Sequence, residues 1–160
     1  MDEPADMLWR GTVAAYAAPG VAPLCLRLQD QGDIDVMLLL CLCYAASVLK
    51  APLWAEEVGA LRARVQPWRA GAVRPVRALR VALRAPVDGV PEAARDAFRD
   101  RLKGLELAAE KVQADLVADW LAARRMAGVP ADPLQGLRSL LGPTPITDAE
   151  MALLIAAFDD

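Results

Sequence analysis

The sequence contains no histidine, and that absence excludes more chemistry than any other of its features. Without imidazole there is no Ser-His-Asp or Cys-His pair, no histidine general acid or base, and no metal site that depends on an imidazole ligand. A ferritin-like di-iron bundle, which needs Glu-x-x-His on two helices, is excluded on the same ground. Cysteine is scarce as well. There are three, an odd number with two of them one residue apart, which makes no disulfide framework. On a helix Cys41 and Cys43 would point about 200° apart and could not share a metal ion. All three read as small buried hydrophobes in a reducing compartment. Nor is there a Gly-rich phosphate loop, a nucleophile elbow or a zinc-ligand spacing. No catalytic residue, metal ligand or cofactor is assigned on these grounds.

What is present is alanine, leucine, arginine and glutamate, all strong helix formers, in a chain of 160 residues that is expected to form one domain, 1–160, with a real core. The net charge of −3 argues against a nucleic-acid binder, which is normally basic. That total hides an asymmetry. Residues 58–87 carry seven arginines and no acid, whereas residues 1–57 carry eight acids against three bases, and residues 88–160 thirteen against eight. The N-terminal stretch MDEPADMLW lacks the basic n-region and long apolar run of a signal peptide, so a cytoplasmic location is expected.

The longest apolar run is VMLLLCLCYAASVL, residues 36–49. As a helix it spans roughly 21 Å, short of the roughly 30 Å of a bilayer core, and extension brings in Lys50 and Pro52. A transmembrane span is therefore not expected. A helix apolar on every side is one surrounded by others, and this segment, about 35–49 with Asp33 or Asp35 as its cap, is expected to be the buried central helix. Met37, Cys41, Cys43 and Tyr44 would also suit the wall of an apolar ligand cavity.

Around it the punctuation predicts six to eight helices in an all-α bundle. The first runs from about 5 to 17 and stops at Pro19-Gly20, and the second from about 21 to 31. Pro52 is expected in the first turn of a fourth helix bearing Leu53, Trp54, Val58, Leu61 and Val65. Pro67 is expected to open a fifth, which Pro75 should kink or split. After the loop APVDGVP (85–91) comes the longest helix, about 92–126. Its residues Phe98, Leu102, Leu105, Ala109, Val112, Leu116 and Trp120 form one stripe expected to face the core, and Gly128 and Pro130 end it. A short helix near 133–141 follows, then a final one behind a Thr147–Glu150 capping box.

The arginine-rich segment supplies the candidate site. Arg77, Arg80 and Arg84 share one helical face beside an apolar one of Val76, Leu79 and Leu83 that is expected to be buried. With Arg69 next to Trp68, they could bind an anionic ligand, lipid surface or phosphate backbone. Alternatively they pair within the protein. Glu106 and Glu110, one turn apart at the edge of the long helix's apolar stripe, need cationic neighbours, and Asp35 either finds an arginine or favours the helix dipole.

The stretch YAAPGVAPLCLRLQDQGDIDVMLLLCLCY (16–44), followed by PWRAGAVRPVRALRVAL (67–83) and more weakly by ELAAEK (106–111), resembles a proteobacterial family of small helical proteins without assigned function, domain of unknown function twenty-three-ninety. The matching features include Tyr16, Pro19-Gly20-Val21, Cys25-Leu26, Leu28-Gln29-Asp30 and Asp35-Val36. The resemblance implies an all-helical cytoplasmic protein and supplies no substrate or cofactor. Three functional classes follow. The first is a non-catalytic interaction or regulatory module with a protein partner, compatible with a homodimer. The second is a binder of a hydrophobic or amphipathic anionic ligand between helices, and the third an enzyme of undefined class.

Overall fold

The computed structural model describes residues 3–125, 128 and 131–159. Among these are eight α-helices, one π-helical turn and no strand: α1 Pro4–Ala17, α2 Val21–Gly32, α3 Val36–Ser47, α4 Ala55–Trp68, the π turn Arg69–Val73, α5 Arg74–Ala82, α6 Glu92–Ala123, α7 Pro133–Leu141 and α8 Asp148–Ala156. The helix α3 sits at the centre, touched by α1, α2, α6, α7 and α8. Every residue from Met37 to Ser47 is buried, so the all-round apolar pattern is explained by helices on all sides. Each fully buried leucine among them stabilises the fold by roughly 1.5–3 kcal/mol. Asp35 starts the helix, accepting from the Leu38 amide at 3.1 Å, which satisfies one of the four free donors of the first turn. No helix among the described residues is long and apolar enough to cross a membrane.

Close helix packing is set by glycine at two places. A Cβ on Gly11 would lie 2.9 Å from the Tyr44 ring, and one on Gly136 would lie 2.7 Å from the Leu53 carbonyl oxygen. The Thr147–Glu150 capping box is formed, with the Glu150 amide donating to Thr147 Oγ1 at 3.1 Å and the Thr147 amide to Glu150 Oε2 at 2.8 Å.

Four expectations need correction. Pro52 stands before the fourth helix, which begins at Ala55, and Pro67 lies inside that helix instead of opening the next. The helical path then continues without a loop through the π turn into α5, where Pro75 occupies the first turn. The wider π turn accommodates a residue that lacks an N–H. In α6, which ends at Ala123 (the expected end at Met126, like Pro130, falls outside the described residues), the stripe divides. Leu102 and Ala109 are buried, but Phe98, Leu105 and Val112 are 49%, 59% and 40% exposed. The buried line runs through Leu102, Glu106, Ala109, Gln113 and Val117, rotated by roughly 50° from the apolar one. Two polar side chains occupy core positions because each has charged or polar partners there. Last, α5 buries none of its residues. Leu79 is 45% exposed, since α5 packs mainly against α6 and the π turn.

Candidate functional site

The buried Glu106 is the hub of a charge cluster between α5 and α6. Arg77 Nε donates to Glu106 Oε1 at 2.7 Å, and Arg77 Nη2 to Glu110 Oε1 at 2.7 Å. Arg80 Nε donates to the other Glu106 oxygen, and Arg80 Nη2 reaches Oε1 at 3.3 Å. The two glutamates respond differently. Burial pushes the Glu106 carboxyl up, but hydrogen bonds and charge from Arg80 and Arg77 outweigh it and hold the group below its ordinary value. At Glu110 burial prevails over the single arginine and the carboxyl is raised. Arg84 lies past the end of α5, exposed, and the cluster does not include it.

A second network sits one helical stretch upstream. Arg69, only 6% exposed, reaches Asp35 Oδ2 at 3.3 Å, Asp33 Oδ1 at 3.3 Å and the Asp33 carbonyl at 3.2 Å. Asp35 Oδ2 also accepts from Gln113 Nε2 at 2.7 Å, and Arg74 meets Asp33 Oδ2 at 2.7 Å. Asp33 adopts a left-handed backbone, φ 50°, which turns the chain from α2 into α3. The π turn joins the two networks. In an unbroken α-helix Arg77, eight residues on, would point roughly 80° from Arg69. One extra residue absorbed by the π turn brings the two within roughly 20°. The same helical path thus serves Asp35 at one end and Glu106 at the other. Trp68, whose indole N–H donates to the Ala109 carbonyl at 2.8 Å, fixes it against α6.

Beside the Glu106 cluster opens a cleft of about 260 Å³, walled by α1, α2, α3, α5 and α6. Trp9, Val13, Leu26, Val36, Met37 and Leu40 make its apolar side, while Tyr16, Gln29, Arg77, Arg80, Lys103 and Glu110 stand at its polar end. A larger recess of about 370 Å³ lies by Asp33, Asp35 and Arg69, closed by residues 139–145 between α7 and α8. The three thiols offer no nucleophile: all are buried, and desolvation raises Cys25 to about 11 and Cys41 and Cys43 further upward. Among the described residues no group of three or more Cys, Asp or Glu side chains could hold a metal ion.

One part-buried ion pair escaped the reading of the sequence. Arg124, at the end of α6, grips Glu57 with Nε–Oε1 at 2.7 Å and Nη2–Oε2 at 2.8 Å. It also donates to the carbonyls of Ala51 and Pro52. Nothing local signals this pairing, which joins residues 67 positions apart.

The model of a protein family of unknown function, DUF2390, matches residues 7–117. The chain belongs to this family. The match spans α1 to most of α6, and so every residue lining the cleft at Glu106, whereas the recess at Asp33 also needs residues 139–145 beyond it. No curated protein and no solved structure matches the chain.

Proposed function

We propose that the protein is a non-catalytic cytoplasmic interaction module that docks a partner through the helical hairpin made by α5, the 83–91 loop and the first turns of α6. The observation that carries this is burial: none of residues 74–101 is buried, although the segment is well-formed helix for most of its length. Such an arm packs on one side against α6 and the π turn and leaves its outer side free instead of contributing to the core. It carries five of the fifteen large apolar side chains exposed among the described residues, Leu79, Val81, Val87, Val90 and Phe98, and Leu105 follows further along α6. A concentration of that kind marks a contact surface. Charge narrows the partner. Residues 74–101 hold seven arginines against four acids, and the remainder of the chain eleven bases against seventeen acids. An acidic surface with apolar centre fits the arm, and a second copy of this chain offers an acidic body.

Sedimentation velocity of the protein and of a Phe98→Asp/Leu105→Asp variant tests the reading, together with a photo-crosslinking residue placed at position 98 in living cells. Both substituted side chains are exposed, so stability should change by no more than about 0.5 kcal/mol each. Expected are association or a discrete crosslinked partner with the native arm, and loss of either in the variant. A monomer at all concentrations that also yields no crosslink defeats the proposal.

A further inference from the structure

We propose that the cleft beside Glu106 binds a small amphipathic anion: an alkyl or aryl body ending in a carboxylate or phosphate monoester. Although Arg77 and Arg80 belong to α5, binding in the cleft does not need a partner on the arm and would hold if the arm had none. The cleft has two unlike ends. Its inner wall is apolar and rests on the central helix through Val36, Met37 and Leu40, with Trp9 opposite. Its volume of about 260 Å³ lies just under the roughly 300–1,000 Å³ of drug-sized sites, so the occupant is short. The other end gathers Arg77, Arg80 and Lys103 against Glu106 and Glu110, leaving one positive charge in excess.

The donors at that end are under-used. Arg77 and Arg80 spend Nε and Nη2 on the two glutamates, and their Nη1 groups make no hydrogen bond to the described residues. Lys103 has no carboxylate partner among them, and neither the Tyr16 hydroxyl nor the Gln29 amide is hydrogen-bonded there. Guanidinium and ammonium groups beside a tyrosine hydroxyl form a receptor for a carboxylate or phosphate oxygen. A cation is poorly served, because both Glu106 oxygens are already taken by arginine. A neutral apolar guest would leave these donors without acceptors. The larger recess at Asp33 makes a weaker case, since Arg69 is already matched by Asp33 and Asp35.

Octanoate and octyl phosphate are the probes, with 1-octanol as the control that keeps the chain and removes the charge. Isothermal titration should give saturable one-to-one binding of at least one anion. The alcohol should bind about tenfold more weakly or worse, and the Trp9 indole N–H resonance should move with saturation. The preference between the two anions distinguishes a carboxylate ligand from a phosphate one. Lys103→Met and Tyr16→Phe should each weaken binding by about fivefold, near the value of one hydrogen bond. Glu110→Gln should tighten it, because it removes a negative charge from the polar end of the cleft and loosens the hold on Arg77 Nη2 without emptying the site. A merely unfolded or loosened variant cannot bind more tightly, so that outcome separates recognition from stability. The proposal is overturned if neither anion saturates by millimolar concentration, if octanol binds as well as octanoate, if the Trp9 resonance stays still, or if Glu110→Gln weakens binding.

Discussion

Glu106 has an 8% exposed side chain and two arginines that are 17% and 22% exposed, so its negative charge is held almost out of water by two guanidinium groups. Removing one of them strands part of that charge, which costs more than an exposed pair would and less than a fully buried one. Arg80→Ala should therefore lower stability by about 2 kcal/mol, a fall in melting midpoint of roughly 4–8 °C at this chain length. The sign with pH follows from the direction of the shift. Because the folded state holds Glu106 below its ordinary value, the stability it contributes is present above that value and disappears as pH falls through the folded one. The Arg80→Ala penalty should accordingly shrink between pH 7 and pH 3, as urea titrations at the two pH values would measure. A penalty that is constant with pH would mean that lost packing, and not the ion pair, carries the effect.

Among the elements, α3 and the α4–π–α5 path depend on one another through Asp35. A single carboxylate caps α3 at Leu38, receives Gln113 from α6 and meets Arg69 from the π turn. Asp35→Ala removes the cap, worth about 1 kcal/mol, and leaves a buried guanidinium with only the more exposed Asp33. The sum should reach about 3 kcal/mol or more in chemical denaturation, with no change in the α-helical far-ultraviolet signature of the folded state. Asp35→Asn retains a capping oxygen and should recover about 1 kcal/mol of that loss. A cost under 1 kcal/mol for the alanine variant would contradict the shared role. The apolar run of α3 was legible because its pattern had no polar side. The phase of α6 was not, since its inward line contains Glu106 and Gln113, and hydropathy alone assigns those to solvent. Their burial makes sense only once Arg77, Arg80 and Asp35 arrive from other helices.

At the level of the whole molecule, Arg124 fastens the far end of the longest helix to the turn that leaves α3. Its side chain is 5% exposed, its carboxylate partner 22%, and it also donates to the Ala51 and Pro52 carbonyls. Arg124→Ala should destabilise by about 2–3 kcal/mol, between an exposed and a fully buried pair. Arg124→Lys should recover only part of this, because an ammonium cannot reproduce the planar two-point grip. Thermal melts of the two variants check the order; equal midpoints for lysine and wild type would show that charge without geometry suffices. Such a clasp holds the C-terminal end of α6 to the body, whereas none of residues 74–101 is buried, so the same long helix is core at one end and surface at the other.

Helix content, the buried central segment, the Thr147 capping box and the exclusion of histidine chemistry were determined by the sequence itself, because each rests on residue type or on spacing within a few turns. The family resemblance lay in continuous stretches and could be read in the same way. Other features required the folded chain: the choice between internal pairing and an open site for the arginines, which the sequence left as alternatives and which brings Arg77 and Arg80 but not Arg84 to Glu106, the π turn that aligns Arg69 with Arg77, and the Arg124–Glu57 clasp. Each depends on residues between 26 and 67 positions apart or on one extra residue absorbed in a helix. Local propensity is indifferent to both, and only the packing of helices against α3 decides them.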